Sequence, residues 1–147
     1  MSVDVDDRAE CGVAATAVAE TVERVLAAEG VGACEVGVVL VDEHEMRDIN
    51  REHRGRDEPT DVLAFPIDEE DELDGVTRML GDVVVCVPVL LAQAAEAEVG
   101  AGEELADLLV HGTLHLLGYD HETDDGEMLA RQDAIVATLA PIAWPAG

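Results

Sequence analysis

Three of the chain's five histidines fall within the eleven residues HGTLHLLGYDH, 111–121. His111 and His115 are four apart, so on a helix their imidazoles leave the same face about one turn from each other. Two ring nitrogens so placed can converge on one metal ion at roughly 2.0–2.1 Å each. Gly118 stands where the helix must end, able to take the left-handed conformation that turns the chain back. That turn can swing His121 toward the same point. Three protein ligands leave a fourth position for water, which marks a catalytic rather than a structural zinc. A histidine pair at this spacing is weak evidence alone; the glycine and third histidine at these offsets make it a one-zinc site. Asp120 can serve as a fourth ligand or as a hydrogen-bond partner to one, although Asp at such a position more often shapes a turn. His44 and His53 have no comparable neighbours and are expected on the surface.

A helix must carry the two histidines, and the pattern predicts one from about Glu103 to Leu117, after a break at Gly100 and Gly102. Upstream, Val3 and Val5 alternate with Ser2, Asp4 and Asp6, predicting a short first strand. Ala14, Val18, Val22 and Val25 are spaced for one buried face of a helix over Arg8 to Ala28, ended by Gly30 and Gly32. Cys34 to Val41 reads as a strand, and Asp42 with Glu45 as a capping box opening a helix through about His53. Asp61 to Ile67 is a third strand, and the acidic run DEEDELDG, 68–75, an exposed loop. Val83 to Val87 makes a fourth strand, and Pro88 fits the first turn of a helix to about Val99. A last helix covers roughly Asp125 to Leu139, before Pro141. No repeat or linker divides residues 1–147, which read as a single domain. Four strands and five helices in this order predict an α+β sandwich with one mixed sheet.

Hydrophobic residues make up 48% of the 147, yet Phe, Tyr and Trp occur once each, so the core must be Val, Leu, Ala and Ile. Thirty-four Asp and Glu oppose eight arginines and no lysine, a net charge of −26. That balance argues against passive attraction to nucleic acid or to an anionic membrane. It fits a solvated acidic surface, which adaptation to high salt or biased codon usage could produce. One segment differs: Arg47, Arg51, Arg54 and Arg56 face only Asp48 and Glu52, a local balance of +2. Arginine there can clamp a phosphate bidentately, or the segment is a helix surface with ordinary salt bridges. Cys11, Cys34 and Cys86 are odd in number and widely spaced, so they read as small apolar residues rather than disulfide partners. The acidic start MSVDVDDRAE lacks a signal-peptide pattern, and the longest apolar run, Val83 to Ala92, is about half a membrane span. A cytoplasmic protein without membrane partners is expected.

The histidine spacing is similar to the metzincin metalloprotease pattern HExxHxxGxxH. Gly112 stands where those enzymes carry the glutamate that activates water, and a glycine cannot act as a base. A metallopeptidase is therefore the second reading. The same eleven residues resemble the signature of the bacterial YbeY family of rRNA-maturation endoribonucleases. The resemblance extends to INREHRGRDEPTDVLAFP (49–66), similar to that family's Asn-x-x-x-Arg segment followed by Thr-Asp-Val-Leu, and to Leu80-Gly81-Asp82, in the same order and spacing. It implies a single-strand-specific, zinc-dependent endoribonuclease acting in 16S rRNA 3′-end maturation and ribosome quality control, with a metalloprotease-like fold. The implied zinc ligands are His111, His115 and His121. Arg54 is the arginine implied to face RNA in the active cleft, beside Arg51 and Arg56 as candidate substrate contacts, and His111 and Arg54 are the candidate catalytic pair. The implied partners are rRNA and the small ribosomal subunit. Acidity also suits basic ribosomal proteins, so a non-enzymatic assembly factor is a third reading. The chain departs from the family pattern at Ala64, where Ser is usual, at His53, where Tyr is common, and at GAGEEL (100–105), where Gly-His-Ser is usual. Thr60 and Asp61 are expected to shape the strand entry, with Asp61 close to the cleft.

Overall fold

In the computed structural model, which describes residues 2–67, 78–120 and 123–145, four strands and five helices follow one another along the chain. They are β1 (Ser2–Asp7), α1 (Ala15–Ala28), β2 (Cys34–Val41), α2 (Glu43–Arg54), β3 (Val62–Pro66), β4 (Arg78–Cys86), α3 (Val87–Ala97), α4 (Ala101–Leu116) and α5 (Glu127–Val136). The strands form one mixed sheet in the order β1-β2-β4-β3, parallel except for the antiparallel β3–β4 pair. The expected α+β domain with a four-stranded mixed sheet is what the chain builds.

Strand alternation divides the core. Val36, Val38 and Leu40 of β2, with Val83 and Val85 of β4, pack against Val18, Val22 and Leu26 of α1 and Leu105 and Leu109 of α4. The opposite face buries Val41, Leu63, Val84 and Cys86 under Met46 of α2. Val110 and Leu114 of α4 meet Val25 of α1 and Met128 and Ile135 of α5. Each fully buried Leu or Val contributes on the order of 1.5–3 kcal/mol. Aliphatic side chains thus supply what three aromatic residues could not. All three cysteines are free thiols, with Cys34 and Cys86 buried. Among the described residues no helix is long and apolar enough to cross a membrane.

Three boundaries differ from the sequence expectation. Helix α1 begins at Ala15 rather than Arg8: the Asp7 carboxylate accepts the Cys11 and Gly12 N–H groups at 3.0 and 2.8 Å and holds the chain after β1 out of the helix. Strand β4 begins at Arg78, before the expected Val83; Gly81, at φ +134°, lets the strand pass the Phe65 carbonyl where a side chain would collide. Gly102 lies inside α4 instead of breaking it, since the Ile142 carbonyl packs against the helix where a Cβ would stand. The acidic run 68–75 lies outside the described residues. At Asp42 the expected cap is present, its carboxylate accepting the Glu45 N–H at 2.8 Å. Glu45 itself turns to Arg8, at 2.8 Å.

Candidate active site

A cleft of about 800 Å³ opens between β3 and α4, closed at one end by the last turn of α2. His111, Gly112 and His115 line one wall, residues 62–66 the other, and His53 and Arg54 the end, with Thr60, Asp61 and Asp120 completing it. Four helical positions separate the two histidines, and their ring centroids stand 4.7 Å apart, edge to face.

Hydrogen bonds at the back of each ring fix its tautomer. His115 Nδ1 lies 2.9 Å from the Tyr119 carbonyl oxygen, which can only accept, so Nδ1 carries the proton. His111 Nδ1 lies 2.9 Å from Gln132 Oε1. The Gln132 amide is oriented in turn: its Nε2 donates to the Asp107 carboxylate at 2.9 Å, which leaves Oε1 to accept from His111. In the neutral form of both rings the lone pair is therefore on Nε2, the nitrogen that would meet a metal ion. Fixing a ligand imidazole through its other nitrogen is the usual support of a metal-binding histidine, and on that chemistry the two rings fit zinc. Gln132 is 7% exposed, so its bonds are sheltered from competing water. His121, the third expected ligand, lies outside the described residues, and among those described no group of three His, Cys, Asp or Glu assembles.

Both supports are tied to a third element. The Glu29 carboxylate, at the end of α1, accepts Arg131 Nε at 2.7 Å, while Arg131 also donates to the Ala28 carbonyl at 2.8 Å. Burial would raise the Glu29 pKa, but hydrogen bonds from the Tyr119 hydroxyl and Arg131, with the Arg131 charge, outweigh it and hold the carboxyl below its ordinary range. Tyr119 and Arg131 are respectively the residue whose carbonyl holds His115 and the neighbour of the residue holding His111. One carboxylate thus holds the first support and the residue next to the second.

Gly112 sits where α4 crosses the sheet most closely. A Cβ there would stand 2.6 Å from Val83 Cγ1 and 3.2 Å from Val62 Cγ2, and valine has few rotamers with which to give way. The position that holds a glutamate in metzincins has no room for one here.

The arginines divide. Arg54 lines the cleft and makes no ion pair among the described residues. Arg51 instead pairs with Asp48 at 2.8 Å and Asp57 at 3.5 Å, and Arg56 with Glu58 at 3.9 Å; neither lines the cleft. What aims Arg54 is local: α2 ends on Gly55 in the left-handed conformation, and buried Asn50 one turn earlier donates to the Glu58 carbonyl at 2.8 Å. Asp61 accepts the Val62 N–H at 2.7 Å, so it shapes the entry to β3 while also facing the cleft. The Asp120 carbonyl accepts from Asp124 N–H at 3.1 Å, consistent with a turn. His44 is exposed, 3.6 Å from Asp48. His53 is exposed too, but at the cleft, its ring centroid 4.9 Å from that of Phe65. Sequence reading missed Gln132, Asp107 and Glu29 altogether.

A family model described as Endoribonuclease YbeY matches residues 4–140. The endoribonuclease YbeY of Moorella thermoacetica is 46% identical over 130 residues, 80% of this chain and 83% of its own length. That of Persephonella marina is 45% identical over 125 residues, covering 83% of this chain and 81% of the relative. The solution structure of TM1509 from Thermotoga maritima has a TM-score of 0.61 at 32% identity, covering 91% of this chain and 86% of that one.

Proposed function

The chain belongs to the endoribonuclease YbeY family, and we propose that it is a zinc-dependent, single-strand-specific endoribonuclease acting in 16S rRNA 3′-end maturation and ribosome quality control. Its partner would be the small ribosomal subunit in the cytoplasm. The observation that carries this reading is the shared cleft: two histidines, each held at Nδ1 by an acceptor, line it together with an arginine that makes no ion pair among the described residues.

His111, His115 and His121 would hold the ion. When bound, zinc supplies Lewis acidity toward a phosphoryl oxygen and lowers the pKa of water toward about 7. Arg54 binds the scissile phosphate through its planar fork and offsets charge that develops on it. The Gln132 and Tyr119 acceptors keep the two imidazoles from turning within the cleft that Arg54 also lines. Gly112 contributes no base, which weakens the metallopeptidase reading: the glutamate that the metzincin pattern carries at this position is missing and Val83 fills its place.

The test is cleavage of a precursor 16S 3′-end RNA by the full chain with zinc, beside His115→Ala, at about 0.1 and 2 M KCl. Wild-type cleavage that disappears in the variant is the expected outcome. It should strengthen with salt, since repulsion between RNA and a −26 protein fades as the Debye length falls to about 3 Å near 1 M. A folded, zinc-bound wild type that cuts at neither salt but still binds small subunits would favour the non-enzymatic assembly factor.

A further inference from the structure

The chain has three aromatic residues, and two are committed elsewhere. Trp144 packs against the main core, and the Tyr119 hydroxyl is bound to Glu29. Phe65, the single phenylalanine, lines the cleft only half-buried, on the strand facing the histidine wall. The exposed ring of His53 leans on it with a centroid separation of 4.9 Å and an interplanar angle of 58°. His53 immediately precedes Arg54 on the last turn of α2, so this ring pair sits beside the cationic group that faces the cleft.

We infer that His53, buttressed by Phe65, forms a stacking subsite for one unpaired nucleobase of the strand whose phosphate is held at Arg54. The inference rests on the ribonuclease reading above and adds to it a source of strand selectivity. Imidazole and phenyl faces accept any base by stacking. A base inside a duplex already has both faces covered by its neighbours, so only an unstacked one can reach the ring. A cleft of about 800 Å³ is large enough for a nucleotide. The net charge makes this contact matter more than it would in a basic protein. At −26 the chain gains nothing from long-range attraction to RNA, whereas stacking is not screened by salt and needs no positive surface.

The experiment uses single-stranded RNAs carrying 2-aminopurine at successive positions, mixed with the full chain in the presence of zinc. Fluorescence is followed through the binding phase, before cleavage. Quenching at one position, retained in 2 M KCl and in His53→Tyr but lost in His53→Ala, is expected. Binding should weaken about tenfold in His53→Ala, the order lost with one base stack, appearing in KM with kcat nearly unchanged. His53 is exposed, so the variant removes no core packing. Quenching and KM unchanged in His53→Ala, or RNA bound without position-specific quenching, would overturn the subsite. Efficient cleavage without quenching would overturn the subsite and leave the nuclease reading intact. Quenching without cleavage would do the reverse, and an RNA that fails to bind at any salt would remove both.

Discussion

The two walls of the cleft are held by different means. On the histidine wall, α4 supplies the rings, the turn after it and α5 supply the acceptors, and the end of α1 supplies Glu29, which bonds Tyr119 and the neighbour of Gln132. At the α2 end, Arg54 depends on a helix cap and one asparagine, and its neighbours Arg51 and Arg56 lie in exposed ion pairs. On the proposed reading, groups that would meet an ion within tenths of an ångström are built into three elements, while the group that would meet a flexible strand sits on one.

Changes on the two sides should therefore differ in kind. The largest effect after loss of a ligand histidine is expected for Arg54→Ala, which should lower kcat/KM by about 10²–10³ with zinc affinity unchanged. A parallel loss of zinc would show that the two walls are one unit. Gln132→Ala should show the opposite pattern. Zinc affinity, read by competition with a chelating dye, should fall about 10–100-fold as His111 loses its orienting acceptor. Unaltered affinity would mean that α4 alone suffices to aim the ring. The smallest effect should come from Arg51→Ala: an exposed ion pair is worth about 0–1 kcal/mol, so cleavage should stay within about twofold. A loss matching that of Arg54→Ala would extend the substrate track along the outer face of α2.

The sequence was legible where a residue's role depends on its own spacing. The alternation in CEVGVVLV gave β2 to the residue, and the four-residue interval gave the paired imidazoles of α4. It was not legible where the role comes from a partner remote in sequence. Gln132 lies 21 positions beyond His111 in another helix, and the acceptor for His115 is a backbone carbonyl, which no side-chain pattern announces. Four arginines alike in sequence became unlike once Asp48, Asp57 and Glu58 had folded against two of them. Gly112 was readable as a missing base, but its positive reason, the closeness of Val83, required the helix and sheet to be docked. At Asp7 a side chain competed with helix propensity and won, a contest that hydrophobic periodicity does not record.

The Glu29 clasp also bears on when the site comes into being. It joins residues 102 positions apart, and closing so long a loop costs chain entropy before the contact forms. As the chain is synthesised, α4 with its two histidines emerges before α5 brings Gln132 and Arg131 to them. A growing chain thus owns the His111 imidazole before it owns the side chain that orients it. The aim of that ring belongs to the finished fold, and a molecule stalled short of α5 carries the histidine motif without it.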